Sequence, residues 1–300
     1  MSRSITLLAL LAGLAPFAAA QASPVNSDTD TAACKQETRR NGAGEVTGDA
    51  VCAIKRIFQR RIRRRPDEDP VEMTVGSPPM QSEDSDTPGA GNWEINIAMG
   101  AEFAGGDREI ELPILDVNYG LGDRVQLTYS VPYVSLREDG ASAHGLGDSE
   151  FGLKYRFYDN EDRGISMALY PQLRVRTPGA NEDVSEGATA WALPLILVSE
   201  FEHFSITANA GLEFSDGERG TFGSFGAGRR LTDRLAVMAE LAGNSLNSSE
   251  ARHVLLNLGF RQKFEHSQSL SASIGRDLDA GSAERKQSCL MVNYQKLLGE

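Results

Sequence analysis

Beyond its first 22 residues the chain has no run of about 18 consecutive apolar residues, the length a helix needs to cross a hydrocarbon core. A mature helical membrane protein is thereby excluded. Cysteine is scarce: Cys34, Cys52 and Cys289 make up the whole complement, with no Cys-x-x-Cys pair among them. The four histidines, His144, His203, His253 and His266, are scattered, so no Cys/His set has metal-ligand spacing. Neither a metal nor a cofactor is expected. Basic charge is in deficit, with 42 Asp and Glu against 30 Lys and Arg and a formal net charge of −12. No long basic face offsets that balance, which argues against nucleic acid as a partner.

What is present begins with an export signal. A short positive start, Met1-Ser2-Arg3-Ser4, leads into the apolar run Ile5 to Phe17, and Ala20-Gln21-Ala22 has the small-x-small form of a cleavage site. The pattern predicts a signal peptide over residues 1–22 and a mature chain from Ser23, of charge −13 once Arg3 is lost. In an oxidising compartment Cys34 and Cys52, both in the N-terminal region, form the natural disulfide pair, and Cys289 stands alone.

Residues 23–91 are polar and rich in Asp, Ser, Thr, Gly and Pro. Stretches such as Gln81-Ser82-Glu83-Asp84-Ser85-Asp86 carry too little apolar surface to offset the entropy of ordering them, so the region reads as a largely disordered periplasmic segment. One island interrupts it, near 49–65. There Val51, Ile54, Phe58 and Ile62 fall at helical spacing, Lys55, Arg56, Arg60, Arg61, Arg63, Arg64 and Arg65 cover much of the rest, and Pro66 stops the helix. A short basic amphipathic helix of this kind suits anionic lipid head groups or an acidic periplasmic partner. It equally suits a solvated helix in a tail tied back by Cys34 and Cys52.

From Asn92 the period changes to two. Trp93 to Phe103 is apolar at every odd position, and comparable alternation recurs through Val125–Tyr133, Phe151–Phe157, Ile165–Val175, Ile206–Phe214, Val254–Phe260, Leu270–Ile274 and Leu290–Tyr294. With the weaker segments included, about twelve strands are expected over residues 92–298, an even number, with alternate connections short and polar. The fold class expected is all-β: a closed antiparallel transmembrane β-barrel. A soluble sandwich would also alternate, but export, strand length and even count favour the barrel. By parity its lumen is lined by Lys154, Arg156, Tyr170, Arg174, Arg176, Glu213 and Arg261. These either select solutes electrostatically or pair with one another and fill the interior.

Several motifs resemble a known family. Thr87-Pro88-Gly89-Ala90-Gly91-Asn92-Trp93-Glu94, the hairpin Tyr119-Gly120-Leu121-Gly122-Asp123-Arg124-Val125-Gln126-Leu127 with Val131-Pro132-Tyr133, and Gly145-Leu146-Gly147-Asp148-Ser149-Glu150-Phe151-Gly152-Leu153-Lys154-Tyr155-Arg156 are similar to outer-membrane transporters linked to the meta-cleavage pathway of phenol degradation. Arg230-Leu231-Thr232-Asp233-Arg234-Leu235 repeats the turn type. In those turns Asp123 and Asp233 are expected to accept backbone amide bonds, and Arg124 and Arg234 to reach back to the interface. The resemblance implies a barrel surrounded by outer-membrane lipids that passes small, hydrophobic or aromatic solutes. Two other classes remain. One is a structural or partner-binding barrel without an open pore. The other is a hydrolase, for which His144, Asp148 and Ser149 are the sole cluster, without lipase spacing; no enzyme activity is expected.

Overall fold

A computed structural model describes residues 70–185, 187–246, 252–265, 267–280 and 287–299. The leader 1–22, the basic helix near 49–65 and the Cys34 and Cys52 pair lie outside the described residues. Fourteen strand segments run in chain order: β1 (Trp93–Ala104), β2 (Asp107–Gly122), β3 (Val125–Glu138), β4 (Ala141–Leu146), β5 (Ser149–Asn160), β6 (Ile165–Leu169), β7 (Gln172–Val175), β8 (Ala190–Glu200), β9 (Phe204–Ser215), β10 (Glu218–Thr232), β11 (Leu235–Leu246), β12 (Arg252–Lys263), β13 (Gln268–Ala280) and β14 (Gln287–Leu298). Each pairs antiparallel with its neighbours. The last returns to the first, from Trp93↔Leu298 to Ala104↔Gln287. The sheet is closed.

The fourteen segments make twelve staves, because two staves are interrupted. β4 and β5 both pair with β3, on either side of a step at Gly147 and Asp148. β6 and β7 both pair with β5 and β8, on either side of Tyr170 and Pro171. Proline explains these steps, since it cannot donate to a ladder. Around them the wall stays bonded: Leu153 N–H donates to Pro171 O at 3.0 Å, Tyr170 N–H to Pro194 O at 3.1 Å, and Gly147 N–H to Pro132 O at 3.0 Å.

Alternation sorts the side chains into two environments. The outer face carries exposed Ile97, Leu115, Leu127, Leu153, Leu195, Leu258 and Ile274. Aromatic residues mark its two ends. Trp93 against Tyr119 (4.5 Å between centroids) and Phe201 against Phe204 (4.2 Å) lie at the end with short turns, and Trp191 stacks on Phe214 (4.2 Å) at the other. Water solvates such a band poorly and hydrocarbon solvates it well, with aromatic girdles at the interfaces. The inner face carries buried Asn96, Asn118, Gln126, Thr128, Lys154, Thr207, Asn209, Glu240, Asn257, Arg261 and Asn293.

The tight turns fall where short polar connections are expected, at Asp123 and Arg124, Glu161 to Gly164, Phe201 to His203, Asp233 and Arg234, and Phe264 to Ser267. Arg137 to Asp148, where apolar alternation lapses, is not a long outer loop, because β3 and β4 extend it as a hairpin closed at Asp139 and Gly140, both at positive φ. The run Ala141-Ser142-Ala143-His144 is too polar and small to register as a strand by hydropathy alone, and pairing with Ser135–Glu138 supplies its order. The 176–189 connection remains a long loop at this end.

An Arg placed at Leu258, mid-strand and 51% exposed on the outer face, tests the assignment of faces. In liposomes Leu258→Arg is expected to lower folding stability by about 2–4 kcal/mol, the range for a cation at a bilayer midplane. Urea titration followed by the fluorescence of Trp93 and Trp191 measures it. A change near zero would mean that this face is wet.

Candidate functional site

The lumen is occupied by the chain's own residues. The segment 70–92 enters at the short-turn end, rises to an apex near Pro78 and Pro79, and descends to join β1. The rising arm alternates, so that Val71, Met73 and Val75 are buried against Ala236 and Met238 of β11. Its backbone is held by Val71 N–H donating to Asp233 O (2.7 Å), Arg230 Nε donating to Val71 O (3.1 Å) and Ser205 Oγ donating to Met73 O (2.8 Å). Glycine on β10 makes this closeness possible. A Cβ at Gly228 would lie 1.7 Å from Met73 O, and one at Gly226 would lie 2.8 Å from a Val75 methyl.

At the apex Ser273 Oγ donates to Pro79 O (2.6 Å), and Glu240 takes both Gln81 N–H (3.0 Å) and Ser82 N–H (2.6 Å). Asn257 Nδ2 donates to the same carboxylate (3.0 Å) and so holds it in place. The descending arm is acidic and meets the wall's cations. Asp84 pairs with Lys154 at 3.1 Å and Asp86 with Arg156 at 3.1 Å, while Glu72 of the rising arm pairs with Arg261 at 2.9 Å. Asn209 accepts from Glu83 N–H (2.6 Å) and donates to Glu83 O (3.0 Å).

These contacts correct the reading of Gln81 to Asp86 as a disordered linker. Composition was judged against bulk water, whereas the lumen supplies polar and cationic partners for almost every group of the segment. The described segment that enters is acidic and meets the wall's cations.

The seven residues placed in the lumen by parity have distinct surroundings. Lys154, Arg156 and Arg261 bind the hairpin. Tyr170, buried in the break between β6 and β7, donates to Thr128 Oγ1 (2.9 Å), and Lys154 Nζ lies 5.0 Å from its ring centre. Arg174 lies 3.9 Å from Glu150, Glu213 is half-buried on β9, and Arg176 follows β7 in the outer loop, 3.2 Å from Glu182. Three of the five cations therefore pair with the N-terminal segment, an arrangement that the two alternatives suggested by sequence parity did not include.

In the turns, Asp123 Oδ1 accepts Ala90 N–H at 3.4 Å, and its carbonyl accepts from Thr87 and Arg156. In the second turn it is Thr232 Oγ1, rather than Asp233, that accepts Arg234 N–H (3.2 Å) and Leu235 N–H (3.0 Å). Arg234 reaches to Glu265 in the next turn, at 3.8 Å. In the other cluster Asp148 bonds Ser185, Ser149 bonds Thr177 (2.7 Å) and Tyr129 (3.2 Å), and His144 is exposed with its carbonyl taken by Asn181. Cys289 is a free thiol on β14, with Sγ 3.5 Å from Asn257 Oδ1.

Sequence reasoning missed Glu240, Asn209 and Ser273 as hairpin anchors. A signal for them existed. The lumen-facing positions of β9, β10 and β13 read Ser205-Thr207-Asn209, Ser224-Gly226-Gly228 and Ser269-Ser271-Ser273, all small and polar, which leaves room for another chain. The lumen is not filled, however. A cavity of about 450 Å³ lies toward the turn end and one of about 410 Å³ toward the loop end.

No protein-family model matches the sequence, and no match is found among curated proteins. Among solved structures the fold is similar to that of an outer membrane channel from Pseudomonas putida F1. That likeness has TM-score 0.59 at 14% identity and spans 73% of this chain and 100% of that one. The KdgM porin in complex with disordered oligogalacturonate gives TM-score 0.48 at 11% identity, over 68% of this chain and 98% of that one. The CymD monoaromatic hydrocarbon channel gives 0.42 at 11%, over 70% and 89%. The first likeness is one of barrel fold, and the other two are too distant in shape to add to it.

Two measurements probe the hairpin. Burial pushes the Glu83 carboxyl up to about 8, with Lys154 opposing and Asp84, Glu150 and Asp116 reinforcing. The seated hairpin therefore binds this proton more tightly than a withdrawn one. Seating is most favourable below the free value of 4.5 and weakens as pH rises toward about 8. Hydrogen-exchange protection of amides 71–86, corrected for intrinsic rate, is expected to be higher at about pH 6 than at about pH 9, with the difference lost in Glu83→Gln. Separately, Glu240→Ala strands three donors at about 1–3 kcal/mol each. Protection should fall at residues 80–83 and stay unchanged in the barrel strands; equal loss throughout would mean that Glu240 supports the barrel rather than the hairpin.

Proposed function

We propose that this chain is an outer-membrane channel that passes small solutes passively through its lumen, with the 70–92 hairpin narrowing the route. The observation that carries the reading is the residual space. A barrel filled for structural reasons alone would pack its interior to the density of a protein core, whereas cavities of about 450 and 410 Å³ persist beside the hairpin. The apolar outer band with aromatic ends supports the membrane setting, and a closed wall supports a route insulated from lipid. The family resemblance adds hydrophobic or aromatic solutes as a finer reading. The lumen's Asn, Gln, Thr and carboxylate lining favours solutes that are also soluble in water.

Planar-bilayer recording of the mature chain tests this. Small discrete conductance steps are expected. Asp84→Lys, which sets a cation against Lys154, should expel the descending arm and raise the step size. A barrel that folds by heat-modifiability yet conducts in neither form would overturn the proposal and leave a structural role.

A further inference from the structure

The hairpin's seat and the walls of the cavities overlap only in part. Most of the bonds that seat the hairpin's arms fall on β5 to β13, at Lys154, Ser166, Ser205, Asn209, Ser224, Glu240, Arg261 and Ser273, while its foot, Thr87 to Asn92, is bonded at Gly120 and Asp123 beside the β2–β3 turn. Both cavities have β1, β2, β3 and β14 as a common wall, and they meet the hairpin's seat at Lys154, Arg261 and Ser273. The inner one reaches the turn end at Lys263, Ser267 and Leu297, and the outer one reaches the loop end at Glu102, Glu109 and Val184. Ile114, Ser130, Glu150 and Met291 line both. They mark the neck where the two meet.

We infer that solutes pass beside the seated hairpin, along the β14–β1–β2–β3 wall and through the neck at Glu150, and that this route favours cationic solutes. The inference rests on the channel reading above and deepens it. Charge on the walls supplies the preference. Among the described residues, five carboxylates line the outer cavity against one cation, Arg174. Seven carboxylates line the inner cavity against Lys154, Arg261 and Lys263. Two of the three inner cations already face hairpin carboxylates, Lys154 with Asp84 and Arg261 with Glu72. The hairpin thus neutralises the basic part of the wall and leaves an acidic route beside it. At the neck Glu150 shares the lining with Ile114, Ser130 and Met291, and Arg174 lies 3.9 Å from it. A passing cation competes with Arg174 for that carboxylate, and an anion meets it directly.

The test uses the full mature chain in planar bilayers under a potassium chloride gradient, with Cys34→Ser and Cys52→Ser so that Cys289, in the outer cavity, is the single thiol. Potassium is expected to permeate in preference to chloride by about fivefold or more, the bias of one unit charge at about 4 Å in water. Glu150→Gln should bring the ratio toward parity. A cationic methanethiosulfonate should modify Cys289 faster than an anionic one and reduce the current. Chloride preference, a ratio unchanged by Glu150→Gln, or a current indifferent to the thiol reagents would each overturn the inference and leave the channel reading standing. A folded barrel without current in any form would overturn the channel reading, and this inference with it.

Discussion

Hydrocarbon offers no hydrogen-bond partner, so every N–H and C=O in a lipid-facing strand must be satisfied by another strand. The pairing of β1 with β14 along their full lengths meets that demand for the whole molecule. Without it two edges would stand open in a solvent that cannot cap them. The remaining architecture follows from closure. Alternation acquires a fixed meaning, apolar outward and polar inward, and the steps at Pro171 and Gly147 are tolerated because bonds to Pro194, Leu153 and Pro132 bridge them.

Closure also creates a second environment, narrow and polar, in which charges lose much of their hydration. An isolated Lys154 or Arg261 there would be expensive, and each is stabilised by a carboxylate supplied from elsewhere in the chain. The order of the hairpin is thus of the same origin as the charge balance of the wall. Its ordering entropy is offset by many modest contacts spread around the barrel, with Glu240 as the most densely used anchor. Such a segment has little reason to be ordered outside its barrel.

The barrel was legible from the sequence because its cause is local: a period of two, short polar turns and an even count of apolar segments. The inward residues were read from the same parity, and Lys154 and Arg261 are buried against carboxylates of the hairpin. The hairpin was not legible, because Gln81 to Asp86 has the composition of a linker and becomes ordered through residues as remote as Glu240 and Asn209. Likewise Ala141 to His144 shows no apolar alternation and owes its strand to Ser135–Glu138. Where order depends on partners far along the chain, composition underestimates it. Where a run of small lumen residues such as Ser224, Gly226 and Gly228 departs from the bulk around it, the vacancy itself is informative.

Both arms of the hairpin emerge at the short-turn end, and Asn92 continues straight into Trp93 of β1. Among the described residues, neither arm therefore has to be threaded through the ring. The strands can zip shut in either order relative to the seating of the hairpin, and the hairpin can back out without any strand opening. Its descending arm is anchored at the first stave, so a withdrawn hairpin stays within reach of its berth as a tethered ligand at high effective concentration. Assembly of the wall and occupation of its interior are in this way separable events.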